Sequence, residues 1–434
     1  MKNQLLLTAI LAFCSTVLLA QTDCSNTSTG NIPLNDLGTD TFMGYQGGLY
    51  PGGENVMPYD HRAAGSQIGK SIKPPNADGE VDWENGVVIF AAFGASTAGN
   101  TFGTFKKLVK QDTTGKYNPC LAFVDLTFGG KGLETMQPPG QHWYWYAMKD
   151  SVLAPAGFTP AQVQIAWMKS GSKDDSIVEF PLQPDSIYQK YVRAVVRLKD
   201  SFPNLKILYL TSHAYGGYAG DSSNNVEIAG EPAAYYGGFA VKWLIEDQIE
   251  GSPTLKFTNP GAEAPWMAWA PYYWADGTTP RTTDGLVWEC SDYSPYGGGF
   301  HLSNEGKEKE SNMLIQFLYN DASSKKWFRS ANKWTNCDPS PRYASGQFPP
   351  VSESAGPLIY PSPNNGTFSL RLRKDASGAI IRIMDEKGTL VYSEQLDHYS
   401  TFNRNIQMTG THPGLYFVQV LYGTTQETAT FIVQ

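Results

Sequence analysis

The strongest constraint on the fold is a series of uninterrupted apolar runs. Val87-Val-Ile-Phe-Ala-Ala-Phe, Cys120-Leu-Ala-Phe-Val-Asp-Leu and Val163-Gln-Ile-Ala-Trp carry no apolar–polar alternation. Runs of this kind fit strands covered on both faces, as in a parallel sheet. Leu205-Lys-Ile-Leu-Tyr-Leu-Thr continues the series, and Leu286-Val-Trp-Glu-Cys is the expected fifth strand. Helical stretches fall between them, at 101–111, 142–153, 186–198 and 233–249. In the third of these, Ile187, Tyr191, Ala194, Val195 and Leu198 recur at helical spacing. Ser303 is the expected cap of a last helix that runs to about Tyr319. Such alternation predicts an α/β domain over 41–330, a doubly wound parallel sheet covered by helices. In that architecture a site lies at the carboxyl ends of the strands.

The flanking segments differ. Residues 1–20 have a basic start at Lys2 and an apolar run from Leu5 to Ala20, which reads as a signal peptide cleaved after Ala20. Residues 21–40 are polar and read as a tether. Residues 331–356 are rich in Pro, Ser and Gly and read as a linker. From 357 to 434 short alternating runs take over, among them Thr367-Phe-Ser-Leu-Arg-Leu, Ile380-Ile-Arg-Ile-Met and Leu415-Tyr-Phe-Val-Gln-Val. Asn364-Asn365-Gly366 and Lys387-Gly388 supply turns, so this part predicts a small antiparallel β-sandwich. Removal of Cys14 with the signal leaves Cys24, Cys120, Cys290 and Cys337. Export makes disulfides the expectation, and the pairing favoured among the three possible ones is Cys24–Cys120 with Cys290–Cys337. A net charge of −8 with no Lys/Arg stripe argues against a nucleic-acid partner.

The tail carries a specific resemblance. Tyr360-Pro-Ser-Pro-Asn-Asn-Gly-Thr-Phe, Ile383-Met-Asp-Glu-Lys-Gly, Pro413-Gly-Leu-Tyr-Phe-Val and the terminal Ile432-Val-Gln resemble the type A sorting domain of type IX secretion. The resemblance implies that residues 357–434 address the chain to the type IX machinery and that it ends up secreted or at the cell surface.

Two residues suggest chemistry. Ser96 stands in Phe93-Gly-Ala-Ser-Thr-Ala-Gly, at a strand-to-helix turn where nearby amides can face an oxyanion. The plain alternative is a turn that only caps a helix. His301 stands in Gly297-Gly-Gly-Phe-His-Leu-Ser, just ahead of the last helix. A strand-end Ser early in the chain and a His before its last helix resemble the order in SGNH-type esterases. There the Ser attacks an acyl carbon and the His takes its proton. Val163-Gln-Ile-Ala-Trp-Met-Lys, Tyr209-Leu-Thr-Ser-His-Ala-Tyr-Gly-Gly-Tyr, Glu231-Pro-Ala-Ala-Tyr and Trp274-Ala-Asp-Gly are similar to a little-characterised bacterial SGNH-like group. The resemblance implies an SGNH/flavodoxin-like three-layer α/β fold. It also implies an oxyanion hole formed by the amide of Ser96 with that of Gly129 or, next to it, Gly130.

The sequence departs from that pattern at three places. Gly298 stands where an Asp is usual, three residues before His301, which leaves Asp292 as the nearest upstream carboxylate. Trp167-Met168-Lys169 stands in place of the usual third-strand Asn, so Lys169 becomes a candidate donor to substrate. The first motif reads Gly-Ala-Ser rather than Gly-Asp-Ser. His213, after the fourth strand, is either a substrate contact or a hydrogen-bonded structural side chain. Glu231, before Pro232, is either a substrate contact or a helix cap. The function expected is an exported serine esterase on acylated carbohydrate, with no cofactor or metal. A silent glycan-binding domain is the first alternative. A glycosidase using Glu231 with Asp276 or Glu289 is the second.

Overall fold

The computed structural model describes residues 22–137, 142–173, 177–219, 229–330, 343–344, 357–360, 364–372, 378–396, 403–422 and 425–433. The expected signal peptide, most of the expected linker, Cys14 and Cys337 lie outside these residues.

Five parallel strands form the centre of the α/β domain: β1 (Val88–Gly94), β2 (Leu121–Asp125), β3 (Val163–Lys169), β4 (Ile207–Thr211) and β5 (Trp266–Trp269). Their order is β5-β4-β3-β1-β2, and a two-residue strand β6 (Tyr343–Ala344) pairs in parallel with β2 at the edge. Every residue of β1 to β5 is buried, which is why the runs show no alternation. Helix α1 (Tyr59–Lys70) precedes the sheet. Helices α2 (Ser96–Gln111), α3 (His142–Met148), α4 (Leu182–Ser201), α5 (Ala233–Ile249) and α6 (Asn304–Asn320) follow in turn. The chain steps from β1 outward to β2 but from β3 toward β4 in the opposite direction. Right-handed crossovers therefore place α2 and α4 on opposite faces, with α6 packed on α2 and α5 on α4. The direction reverses between β1 and β3, and the crevice at their carboxyl ends is where this architecture holds ligands.

Two expectations fail here. Leu286-Val-Trp-Glu-Cys is not a strand; the fifth strand is Trp266–Trp269, a four-residue run too short to stand out among the surrounding aromatics. Residues 22–38, read as a tether, lie along the domain. Leu34 is fully buried in the main core, and Asp276 accepts hydrogen bonds from Ser28, Thr29 and Gly30.

Gly94 ends β1 at φ +135°, and a Cβ there would stand 2.0 Å from the Lys169 carbonyl oxygen of β3. Only glycine lets these strands approach so closely at the turn into Ser96. Gly94→Ala is therefore expected to cost about 2–4 kcal/mol through overpacking and backbone strain, read as a lower urea midpoint.

The C-terminal region forms two antiparallel sheets. One holds β7 (Leu358–Tyr360), β8 (Thr367–Arg371) and β11 (Asn403–Gln407). The other holds β9 (Ile380–Asp385), β10 (Leu390–Gln395), β12 (Gly414–Tyr422) and β13 (Thr425–Val433). Phe368, Leu370, Ile381, Ile383, Val418, Val420 and Phe431 from both sheets share one buried core.

Candidate active site

The carboxyl end of β1 turns at Ala95, whose backbone is extended, and α2 begins at Ser96. The helix thus starts five residues before the first residue expected from periodicity. Ser96 occupies the first helical position, where the backbone N–H has no partner within the helix. Its hydroxyl lies 2.8 Å from His301 Nε2 across 205 residues of sequence.

His301 sits on the return arm of a closed hairpin. Ser303 N donates to Asp292 O at 2.8 Å, Tyr293 bridges Leu302, and Ser294 N donates to His301 O at 2.9 Å. At its tip the Gly297 carbonyl faces both the His301 amide, at 3.1 Å, and His301 Nδ1, at 3.2 Å. A carbonyl oxygen only accepts, so Nδ1 carries the proton and Nε2 presents its lone pair to the Ser96 hydroxyl. Burial holds the His301 pKa below the ordinary imidazole value, the charges of Lys307 and Lys169 push the same way, and the Gly297 bond opposes them. His301 is neutral near pH 7.

The loop after β2 is tied to this turn. Leu126 N donates to Ala92 O and Phe128 N to Gly94 O, at 2.9 and 2.8 Å. Asp125 accepts from the Thr127 amide and hydroxyl and fixes the bend. Gly129 arrives beside Ser96: a Cβ on it would stand 3.9 Å from Ser96 Cβ. Gly130 has φ +70° and makes the turn that Lys131 N closes on Phe128 O, with nothing near its own would-be Cβ. Of the two expected oxyanion glycines, Gly129 is the one adjacent to Ser96.

Asp292, expected to orient His301, does something else. Its carboxylate accepts from Lys309 Nζ at 2.5 Å and from the Glu289 amide at 3.0 Å, while its carbonyl closes the hairpin. Among the described residues no hydrogen bond joins this carboxylate to the His301 ring. Lys169 is likewise engaged. Its ammonium lies 2.5 and 2.6 Å from the two Glu310 oxygens on α6, over the Tyr273 ring, and is fully buried. Thr101 also donates to that carboxylate. Lys169 reaches the site through its field on His301 and not as a free donor.

His213 is buried just beyond β4 and hydrogen-bonded to the Ser170 backbone. Burial, aided by Lys169, pulls its pKa to about 3, so it is neutral. Its Nε2 meets no partner among the described residues. Glu231 lies elsewhere, accepting from Gly216 N (2.8 Å), Trp274 Nε1 (2.7 Å) and Tyr235 N (3.2 Å). Burial raises its pKa to about 7 against those three bonds. It joins the loops after β4 and β5 to the start of α5. With Asp276 held by residues 28–30 and Glu289 in a turn with Asp292, these carboxylates are occupied in structural bonds. Among the described residues no three His, Cys, Asp or Glu side chains cluster as metal ligands do.

The disulfide also differs from expectation. Cys24 pairs with Cys290, and Cys120 is itself disulfide-bonded, so neither expected pair forms. Sequence spacing could not show that residues 22–30 return to the hairpin that carries His301. Gly297 was missed as well, because a backbone carbonyl has no side-chain signature. Glu310 had one signal available: a lysine ending a fully buried strand needs a carboxylate from a neighbouring helix.

The comparisons bear mostly on the tail. Residues 358–434 match a family model described as a secretion system C-terminal sorting domain. No curated protein matches the chain. An immunoglobulin-like β-sandwich protein from Bacteroides vulgatus is 15% identical over 19% of this chain and 88% of its own, with a TM-score of 0.17. CopC from Methylosinus trichosporium is 17% identical over 18% and 93%, with a TM-score of 0.14. An endo-β-1,4-mannanase double mutant from Cellulomonas fimi is 10% identical over 93% and 100%, with a TM-score of 0.21. At these scores neither fold nor function transfers. The sorting domain makes this a secreted or cell-surface protein that engages the type IX secretion machinery.

Proposed function

We propose that this exported protein is an SGNH-like serine esterase acting on acylated carbohydrate, with Ser96 as nucleophile and His301 as general base. The observation that carries the reading is the 2.8 Å contact between Ser96 Oγ and the unprotonated nitrogen of a neutral imidazole, at the crevice where the sheet reverses direction. As Oγ attacks the acyl carbon, its proton passes to Nε2. The imidazolium is then steadied at Nδ1 by the Gly297 carbonyl. The oxyanion meets the amides of Ser96 and Gly129. His301 returns its proton to the departing sugar oxygen as the C–O bond breaks. It next takes one from the water that attacks the acyl-enzyme and passes it to Ser96 Oγ as the acid leaves. The sugar part of the reading rests on export and on the family resemblance.

Release of acetate from O-acetylated polysaccharides, compared between wild type and Ser96→Ala, tests it. Serine-dependent release supports the esterase, and equal release from both chains contradicts it. The acid limb gives a second check. The working base is neutral His301, whose pKa is held below 6.5. The rate of serine acylation is therefore expected to fall on the acid side with a midpoint below pH 6.5. A midpoint above 6.5 would rule out this base.

One observation favours a silent glycan-binding domain: His301 is oriented by a carbonyl and not by a carboxylate. Glycan binding that survives Ser96→Ala, with no ester cleavage in wild type, would select that reading.

A further inference from the structure

A carboxylate that orients a histidine is held by its own side chain. The Gly297 carbonyl is only as well placed as the loop that carries it. That loop is Gly297-Gly298-Gly299, with φ +64° at Gly298 and +72° at Gly299, and three glycines give it little stiffness of its own. The bracing comes from the start of the described chain. The Thr22 hydroxyl donates to Ser294 O at 2.7 Å and accepts from Gly299 N at 3.1 Å, so one side chain spans both ends of the turn. Thr22 N donates to Pro295 O and Asp23 N to Tyr218 O. Ser294 in turn accepts from Gly297 N and donates to His301 O. Two residues beyond Thr22, Cys24 is bonded to Cys290 at the base of the same hairpin.

We propose that Thr22 is a positioning residue for His301 and that the Cys24–Cys290 disulfide holds it there. The contacts run from Thr22 to Ser294 and Gly299, then to Gly297, then to the ring; Thr22 itself touches neither Ser96 nor His301. The strap therefore couples assembly of the Ser96–His301 pair to oxidation of Cys24 and Cys290. The activity arm of the test rests on the esterase reading above, and the exchange arm does not.

The test uses the full exported chain in four forms: wild type, Thr22→Val, Thr22→Ser, and Cys24→Ser combined with Cys290→Ser. Acylation of Ser96 by a fluorophosphonate is followed at saturating probe, alongside backbone hydrogen exchange over residues 294–301. Thr22→Val keeps the shape and loses the hydroxyl. It is expected to slow acylation about tenfold with half-saturation unchanged, and to speed exchange in the loop. Thr22→Ser restores the hydroxyl and should recover both. The double serine variant should behave as Thr22→Val does. Wild-type exchange in Thr22→Val, or equal defects in Thr22→Val and Thr22→Ser, would overturn the proposal. If wild type itself is not acylated, the esterase reading fails, while the exchange arm still decides whether the strap holds the loop.

Discussion

Ser96→Ala and His301→Ala should each lower ester hydrolysis at least about a thousandfold, and the double variant should lose no more than either single one. In the proposed mechanism the two groups act as one device. Ser96 is a weak nucleophile until Nε2 takes its proton, and Nε2 has that task only while the hydroxyl stands 2.8 Å away. Removing either removes the activated oxygen, so the losses do not multiply. Any residual rate would come from the amides of Ser96 and Gly129. Steady-state hydrolysis of an activated acetate ester, with circular dichroism to show that all three variants fold, provides the comparison. Multiplicative losses would mean that the two side chains contribute separately, and the paired mechanism would be wrong.

The second large effect concerns the pair beneath the site. Glu310→Ala should destabilise the protein by about 3–5 kcal/mol, because it leaves the Lys169 ammonium buried with no anion. The ammonium and carboxylate are 2% and 0% exposed, so water cannot replace the lost partner. Lys169→Met combined with Glu310→Leu should be far milder, since it removes both charges and keeps the volume. Urea unfolding checks this through the midpoint at unchanged slope. A small loss for Glu310→Ala would mean that Lys169 finds another partner or sheds its proton.

What the sequence revealed follows from which interactions leave a pattern. Strands buried on both faces must be apolar throughout, so β1 to β4 were legible, as were the alternating strands of the tail. Trp266–Trp269 was not, because a four-residue strand among aromatics has no contrast with its neighbours. Ser96 and His301 stood out through their places ahead of helices. The loss of Asp at Gly298 was also visible, but its consequence was not. Asp292, the nearest upstream carboxylate, is bonded to Lys309 instead. The replacement was the carbonyl of Gly297, a group every residue has. The return of residues 22–30 to the His301 hairpin was hidden for a related reason. It depends on pairings over 266 residues, and polar residues such as Thr22 and Ser28 look the same in a tether as in a strap.

Covalent labelling reads directly whether His301 activates Ser96. The exported chain is treated with a fluorophosphonate at neutral pH, and intact mass and peptide mapping follow. One adduct per chain is expected, on Ser96, absent in both Ser96→Ala and His301→Ala. A well-folded wild type that takes no label, or takes it equally without His301, would contradict that activation.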